Sequence, residues 1–101
     1  MANLRIQFLA FDGCPLAEAA RHELDVAMAS LGLRSYEVID IRDPDTPDNL
    51  SNWGSPTILV NGRDVTGGKP GNGVGCRVYD GPLKVPNSQT IAECLRREVA
   101  S

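Results

Sequence analysis

The sequence predicts a single α/β domain with a four-stranded mixed sheet, in the order β-α-β-β-β-α. First, residues 4–11 form an apolar strand that is followed by a helical repeat and a second strand, and such a βαβ unit requires parallel strands. Second, two short β-branched stretches flank Asn61-Gly62, the strongest local signal for an antiparallel hairpin. Third, the length of 101 residues suits one domain over 1–101.

The first strand and the helix after it have distinct apolar periods. Residues 4–11 carry apolar side chains on both faces near the end of the stretch, which is typical of a central strand covered on both sides. From Pro15 to about Leu31 apolar residues recur at three- and four-residue steps, which predicts an amphipathic helix. Gly32 is the expected C′ residue of that helix.

The middle of the chain predicts three more strands. Residues 35–41 form the second strand, and the polar stretch 42–49 with two prolines is a loop with room for one helical turn before Trp53. Residues 57–60 and 63–65 are the two strands of the Asn61-Gly62 hairpin.

The last third of the chain predicts a long loop and a helix. Residues 67–87 form a Gly-rich loop that carries Cys76, and its first part, 67–81, holds six of the ten glycines. Loops of this length inside a compact domain are usually functional or mobile. Ser88 is the expected N-cap of a final helix with Ile91, Leu95 and Val99 on one face, and Cys94 beside that face is expected to pack in the core.

Composition excludes several classes of function. A net charge of −3 argues against binding nucleic acid, which requires a basic surface. No apolar run is long enough for a membrane span, and no secretory signal is visible at the N-terminus. Three widely spaced cysteines do not form a secreted disulfide framework, so we expect a reducing, cytoplasmic location.

Cys14 is the strongest candidate for chemistry. It lies between Gly13, which permits a sharp turn, and Pro15, which suits the first position of a helix. A thiolate at the N-terminus of a helix is stabilised by the helix dipole and becomes an effective nucleophile. Asp12 opposes this effect because a nearby carboxylate disfavours the thiolate. The alternative is that Cys14 is an ordinary buried thiol.

Cys76 is the second candidate, and three interpretations of it stay open. It could be an incidental loop residue, a resolving thiol for Cys14, or a second ligand for a soft metal ion. A disulfide requires that the two Cα atoms approach within about 7 Å. The sequence has no CxxC or HxxxH spacing, so no structural metal site is expected.

Four motifs resemble the thioredoxin-like superfamily, and glutaredoxin-type small bacterial proteins most closely. They are Cys14-Pro15 after the central strand, Trp53-Gly54-Ser55-Pro56-Thr57 before the third strand, the Asn61-Gly62 hairpin, and Thr66-Gly67-Gly68 after the fourth strand. Some relatives in this group are loosely labelled as related to alkylmercury lyase. The segment 69–87 departs from the family, and Ala17 replaces the second cysteine of dithiol members.

The resemblance implies a thioredoxin-like fold and a binding surface next to Cys14. It implies that Pro56 follows a cis peptide bond and faces Cys14, and that Gly67-Gly68 seats glutathione or a similar group. The implied substrate-binding residues share these motifs: Pro15, Ser55, Pro56, Thr57, Gly67 and Gly68.

The leading hypothesis is a monothiol redox protein in which Cys14 attacks a disulfide and Cys76 could resolve the intermediate. Its partners would be a small thiol or a protein disulfide, with glutathione as co-substrate and no bound cofactor. One alternative is a protein that binds a soft metal ion or an organomercurial through Cys14 and Cys76. Another is a thioredoxin fold that serves only as a non-catalytic interaction module.

Overall fold

One sheet and three helices follow the predicted alternation of elements. The computed structural model describes residues 4–71, 73 and 75–100. The elements, in chain order, are β1 (Ile6–Ala10), α1 (Ala17–Ser30), β2 (Glu37–Asp40), α2 (Asp48–Ser51), β3 (Thr57–Val60), β4 (Arg63–Asp64) and α3 (Ser88–Ala100). The predicted α/β class with a four-stranded mixed sheet is confirmed.

The strands lie in the order β2-β1-β3-β4. β1 is therefore an interior strand of the sheet, as its apolar sequence predicts. β1 pairs in parallel with β2 and antiparallel with β3, so that Phe8 lies opposite both Val38 and Ile58. β3 and β4 form the antiparallel hairpin. Because β1 and β2 are parallel, the residues that follow them meet at the same edge of the sheet.

Apolar side chains cover both faces of the sheet. On one face, a large cluster joins β1 and β3 to α1 and α3, with Phe8, Leu24 and Leu95 among its buried members. A smaller cluster contains Leu9 from β1 and Trp53 from the segment before β3. Successive residues of a strand point to opposite faces, so Phe8 belongs to the large cluster and its neighbour Leu9 to the smaller one.

Helix α1 begins two residues later than the sequence predicted. Pro15 and Leu16 lie in a turn, in which the Cys14 carbonyl oxygen accepts a 3.2 Å hydrogen bond from Ala17 N. The helix ends as predicted, because Gly32 has a φ of 70° and Leu33 N donates to Met28 O at 2.9 Å. In the described part of the chain, the helices are too short or too polar for any of them to cross a bilayer.

The start of α3 corrects one prediction. Asn87, not Ser88, caps this helix, because its Oδ1 accepts a 2.8 Å hydrogen bond from Thr90 N. Ser88 is the first residue of the helix itself. Cys94 is buried in the large cluster, as predicted, whereas Val99 is 56% exposed and does not belong to the buried face.

Candidate functional site

Cys14 is carried by the turn that connects β1 to α1. After β1 the chain reverses through Asp12 and Gly13, and Gly13 has the φ of 84° that favours glycine. Cys14 N donates a 3.2 Å hydrogen bond to Phe11 O, which closes this turn. The thiol therefore lies beyond the carboxyl end of the central strand, on the turn that leads into the first helix.

The Cys14 side chain is buried against the segment that precedes β3. The residue is 7% exposed and packs in the smaller cluster with Phe11 and Trp53. Its Sγ–H donates to the Ser55 carbonyl oxygen at 3.7 Å, and Ser55 Oγ accepts a 3.3 Å hydrogen bond from Phe11 N. The Ser55–Pro56 peptide bond is cis, as the resemblance implied.

The Gly-rich loop brings Cys76 to the same residue from another direction. Cys76 pairs in parallel with Ser55 as a single bridging residue. Ser55 N donates to Gly75 O at 3.0 Å, and Arg77 N donates to Ser55 O at 2.6 Å. The Ser55 carbonyl oxygen thus receives both the Cys14 thiol and the backbone N–H that follows Cys76.

The two thiols interact with each other. The pKa of Cys76 is raised above its ordinary value, by desolvation first, and then by charge repulsion from Cys14 and a hydrogen bond with Cys14. Cys14, Cys76 and Cys94 are all free cysteines, and of these Cys76 is the exposed one. Both cysteines therefore lie against Ser55, Cys14 through its thiol and Cys76 through its backbone.

Arg42 is a charged neighbour of this pair that sequence analysis missed. It follows β2 and places its guanidinium carbon 3.6 Å from the centroid of the Phe11 ring. Its positive charge lowers the pKa of Cys76, against the larger effects that raise it. The predicted parallel pairing of the first two strands could have indicated it, since residues that follow two parallel strands meet at one edge of the sheet. The sequence analysis treated the stretch that contains Arg42 only as a polar loop.

Arg77 ties the loop to the β3–β4 hairpin. Its Nη2 makes a 2.7 Å ion pair with Asp64 Oδ2, and its Nη1 donates to Thr57 Oγ1 at 3.2 Å. Its guanidinium carbon lies 4.3 Å from the centroid of the Tyr79 ring, and the Tyr79 hydroxyl donates to Pro56 O at 2.6 Å. Through these contacts, Arg77 and Tyr79 hold the loop against the rest of the domain.

The proposed substrate-binding residues divide into two groups. Pro15 is exposed beside Cys14, whereas Ser55, Pro56 and Thr57 are fully buried under the loop. Thr57 Oγ1 donates to Gly54 O at 3.0 Å and accepts from Arg77, so its hydroxyl is engaged within the protein.

The Gly67-Gly68 pair has its backbone engaged as well. Gly67 N donates to Asp64 O, and Gly68 N donates to Asp64 Oδ2, both at 2.9 Å. These N–H groups therefore do not face a ligand. A Cβ at position 68 would collide with the Arg77 guanidinium, so the close packing here explains why the residue is glycine.

Metal ligands are sparse at this site. In the ranges 4–71, 73 and 75–100, no group of three or more His, Cys, Asp or Glu side chains is placed to hold a metal ion. Comparisons with protein-family models, with curated proteins and with solved structures gave no match.

Proposed function

We propose that this domain is a thioredoxin-like, glutaredoxin-type thiol–disulfide oxidoreductase in which Cys14 and Cys76 act as a pair. The observation that carries the proposal is the convergence of both cysteines on Ser55, where the Cys14 thiol and the Cys76 backbone pairing meet. Ala17 removes the local second cysteine of a dithiol motif, and Cys76 supplies a thiol from elsewhere in the chain.

The reaction is a two-step exchange. The Cys14 thiolate attacks one sulfur of a substrate disulfide, which breaks the S–S bond, forms a mixed disulfide with Cys14 and releases one substrate thiol. The Cys76 thiolate then attacks the Cys14 sulfur and releases the second substrate thiol. One substrate disulfide is reduced, and the two protein thiols are oxidised to a Cys14–Cys76 disulfide. Two molecules of a small thiol, of which glutathione is an example, regenerate the dithiol and become a disulfide.

The environments of the two thiols support this division of roles. Cys14 lies on the turn that leads into α1, next to the exposed Pro15, and its Sγ is 3.7 Å from the Ser55 carbonyl oxygen. Cys76 is exposed and has a raised pKa, so it is held mainly as a thiol until the mixed disulfide forms. Resolution then requires loss of the Cys76 proton, and the positive charge of Arg42 favours that loss.

The test is reduction of a glutathionylated peptide, with mass spectrometry of the protein after acid quenching. The wild-type protein is expected to end as a Cys14–Cys76 disulfide. Cys14→Ser is expected to fall to the background rate, and Cys76→Ser to accumulate a mixed disulfide at Cys14. Cys94→Ser is the matched control, because this buried cysteine belongs to the large core cluster. Wild-type activity in Cys14→Ser, or an inactive wild-type protein, would reject the proposal in favour of a non-catalytic interaction module.

A second candidate function rests on the same adjacency. Two neighbouring thiols without a third metal-ligating side chain in the described ranges suit soft ions that accept two thiolates, such as mercury(II) or copper(I). This alternative predicts uptake of one ion per chain that is lost in Cys14→Ser and in Cys76→Ser alike. Equal uptake by both variants and the wild-type protein would exclude it.

A further inference from the structure

We infer that the ion pair between Asp64 and Arg77 is a positioning device that holds Cys76 against Cys14. This inference rests on the proposed function, because it assigns residues that act on the same thiol pair. The device, which we call the Arg77 cluster, consists of Arg77 and the residues between positions 57 and 68 that hydrogen-bond its guanidinium or lie against it: Thr57, Asp64, Thr66 and Gly68.

The loop cannot place Cys76 by its own conformational preferences. Cys76 follows a stretch in which Gly71, Gly73 and Gly75 alternate with other residues. Glycine is the residue that restricts the backbone least, so these glycines do not by themselves fix the position of Cys76. The position of the Cys76 thiol must therefore be imposed by contacts with the rest of the domain.

Arg77 is the residue next to Cys76, and it provides these contacts on both its backbone and its side chain. The Arg77 N–H bonds to Ser55 O at 2.6 Å, while the guanidinium reaches Asp64 at 2.7 Å. The Asp64 side chain is 0% exposed and that of Arg77 is 13% exposed, so the pair is largely removed from water. A charged pair with multiple hydrogen bonds in such surroundings has a defined geometry. Because Cys76 is bonded to Arg77 in the chain, fixing Arg77 restricts the position of Cys76.

Asp64 is itself held in one orientation. Its Oδ2 accepts hydrogen bonds from Thr66 Oγ1 at 2.6 Å and from Gly68 N at 2.9 Å, in addition to Arg77. Its Oδ1 is buried and has no hydrogen-bond partner among the described residues. Arg77 is thus the counter-charge of a buried carboxylate, which couples the loop to the hairpin.

Gly68 gives this arrangement a steric requirement. A Cβ at position 68 would collide with Arg77 Nη2 and would lie 2.7 Å from Asp64 Oδ2. Any side chain there must displace one partner of the ion pair. The Arg77 cluster therefore contains a glycine that can be changed without altering the charge of the protein.

The experiment measures the effective concentration of the Cys14–Cys76 disulfide in glutathione redox buffers, with thiols trapped by alkylation and counted by mass spectrometry. The variants are Gly68→Ala and the Asp64→Asn/Arg77→Gln double variant, which leaves no unpaired buried charge. We expect each to lower the effective concentration by about tenfold or more, because a charge-assisted hydrogen bond that orders the loop is lost. Arg63→Gln is the matched control, since this arginine is also in the hairpin but its side chain is 80% exposed.

Each outcome decides the inference. A wild-type effective concentration in the two variants, with an unchanged far-ultraviolet circular dichroism spectrum, would overturn the positioning role and leave the proposed function intact. Absence of any Cys14–Cys76 disulfide in the wild-type protein would instead reject the proposed function. Loss of the fold in both variants would also overturn the inference, because the Arg77 cluster would then hold the whole domain and not the loop.

Discussion

The hydroxyl of Tyr79 donates a 2.6 Å hydrogen bond to the carbonyl oxygen of Pro56. This contact joins the Gly-rich loop to the residue that follows Ser55, and the Tyr79 ring lies 4.3 Å from the Arg77 guanidinium carbon. The Tyr79 side chain is buried, and burial is the main cause that raises its pKa from 10.0 to about 12. The ring and its proton are therefore part of the contact that fixes the loop.

The raised pKa of Tyr79 predicts a loss of stability at high pH. The unfolded chain releases the phenol proton near pH 10.0 and the folded protein near pH 12, so this contribution is complete below pH 10 and disappears as the pH rises towards 12. Two pKa units correspond to about 2–3 kcal/mol. Urea unfolding of the wild-type protein and Tyr79→Phe at pH 9 and pH 11.5, in reductant, should show a smaller loss for the variant. Equal losses would contradict the assignment.

The interaction between the two thiols predicts opposite effects of two substitutions on Cys76. Cys14→Ser should lower the pKa of Cys76 by removing a repulsive neighbour, and Arg42→Gln should raise it by removing a favourable charge. The measurement is the rate of Cys76 alkylation by iodoacetamide as a function of pH, with the modified residue identified by mass spectrometry. Cys94→Ser should leave the profile unchanged, and a shift of the same sign in both test variants would be inconsistent with the geometry.

Asp64 predicts an asymmetry in stability between single and double substitutions. Arg77→Gln alone leaves a buried carboxylate without its counter-charge, and such a loss typically costs about 3–5 kcal/mol. The Asp64→Asn/Arg77→Gln double variant should be less destabilised, because no charge is buried. Urea denaturation measures both, and Arg63→Gln should change the free energy of unfolding by about 0.5 kcal/mol at most. A double variant as unstable as the single one would refute this account.

The cap of α3 predicts a difference between adjacent residues. Asn87→Ala should lower the free energy of unfolding by about 1 kcal/mol, because Thr90 N loses its acceptor. Ser88→Ala should have little effect, since Ser88 lies inside the helix. Thermal or urea unfolding distinguishes the two residues, and the reverse order of effects would restore the cap that the sequence favoured.

The sequence predicted the elements whose signals are local. The apolar residues at three- and four-residue steps from Leu16 to Leu31 span α1 and its two cap residues, and Asn61-Gly62 forms the β3–β4 turn with φ values of 52° and 81°. The predictions were wrong at the ends of helices, where a single residue determines the boundary. Asn87 and Ser88 are both good N-cap residues, and the choice of Ser88 was wrong by one residue.

Of the two cysteines at the site, only Cys14 was marked as a candidate by its local sequence. Cys14 is marked by its own neighbours Gly13 and Pro15, so a local pattern sufficed. The approach of Cys76 depends on Arg77 with Asp64, contacts between residues that are separated in the chain and carry no shared motif. Gly68, which the resemblance implies as part of a ligand seat, donates its N–H to Asp64 Oδ2 and lies directly against Arg77 and Asp64.

The single pairing between Ser55 and Cys76 has a further consequence for the state of the domain. Cys14 and Cys76 meet only because the first strand, the third strand and the loop have all reached their places, since no short stretch of chain contains both thiols. In an unfolded chain Cys76 would encounter Cys94, which is 18 residues away, more often than Cys14, which is 62 residues away. The yield of the Cys14–Cys76 disulfide under mild oxidation is therefore a measure of how much of the protein is folded.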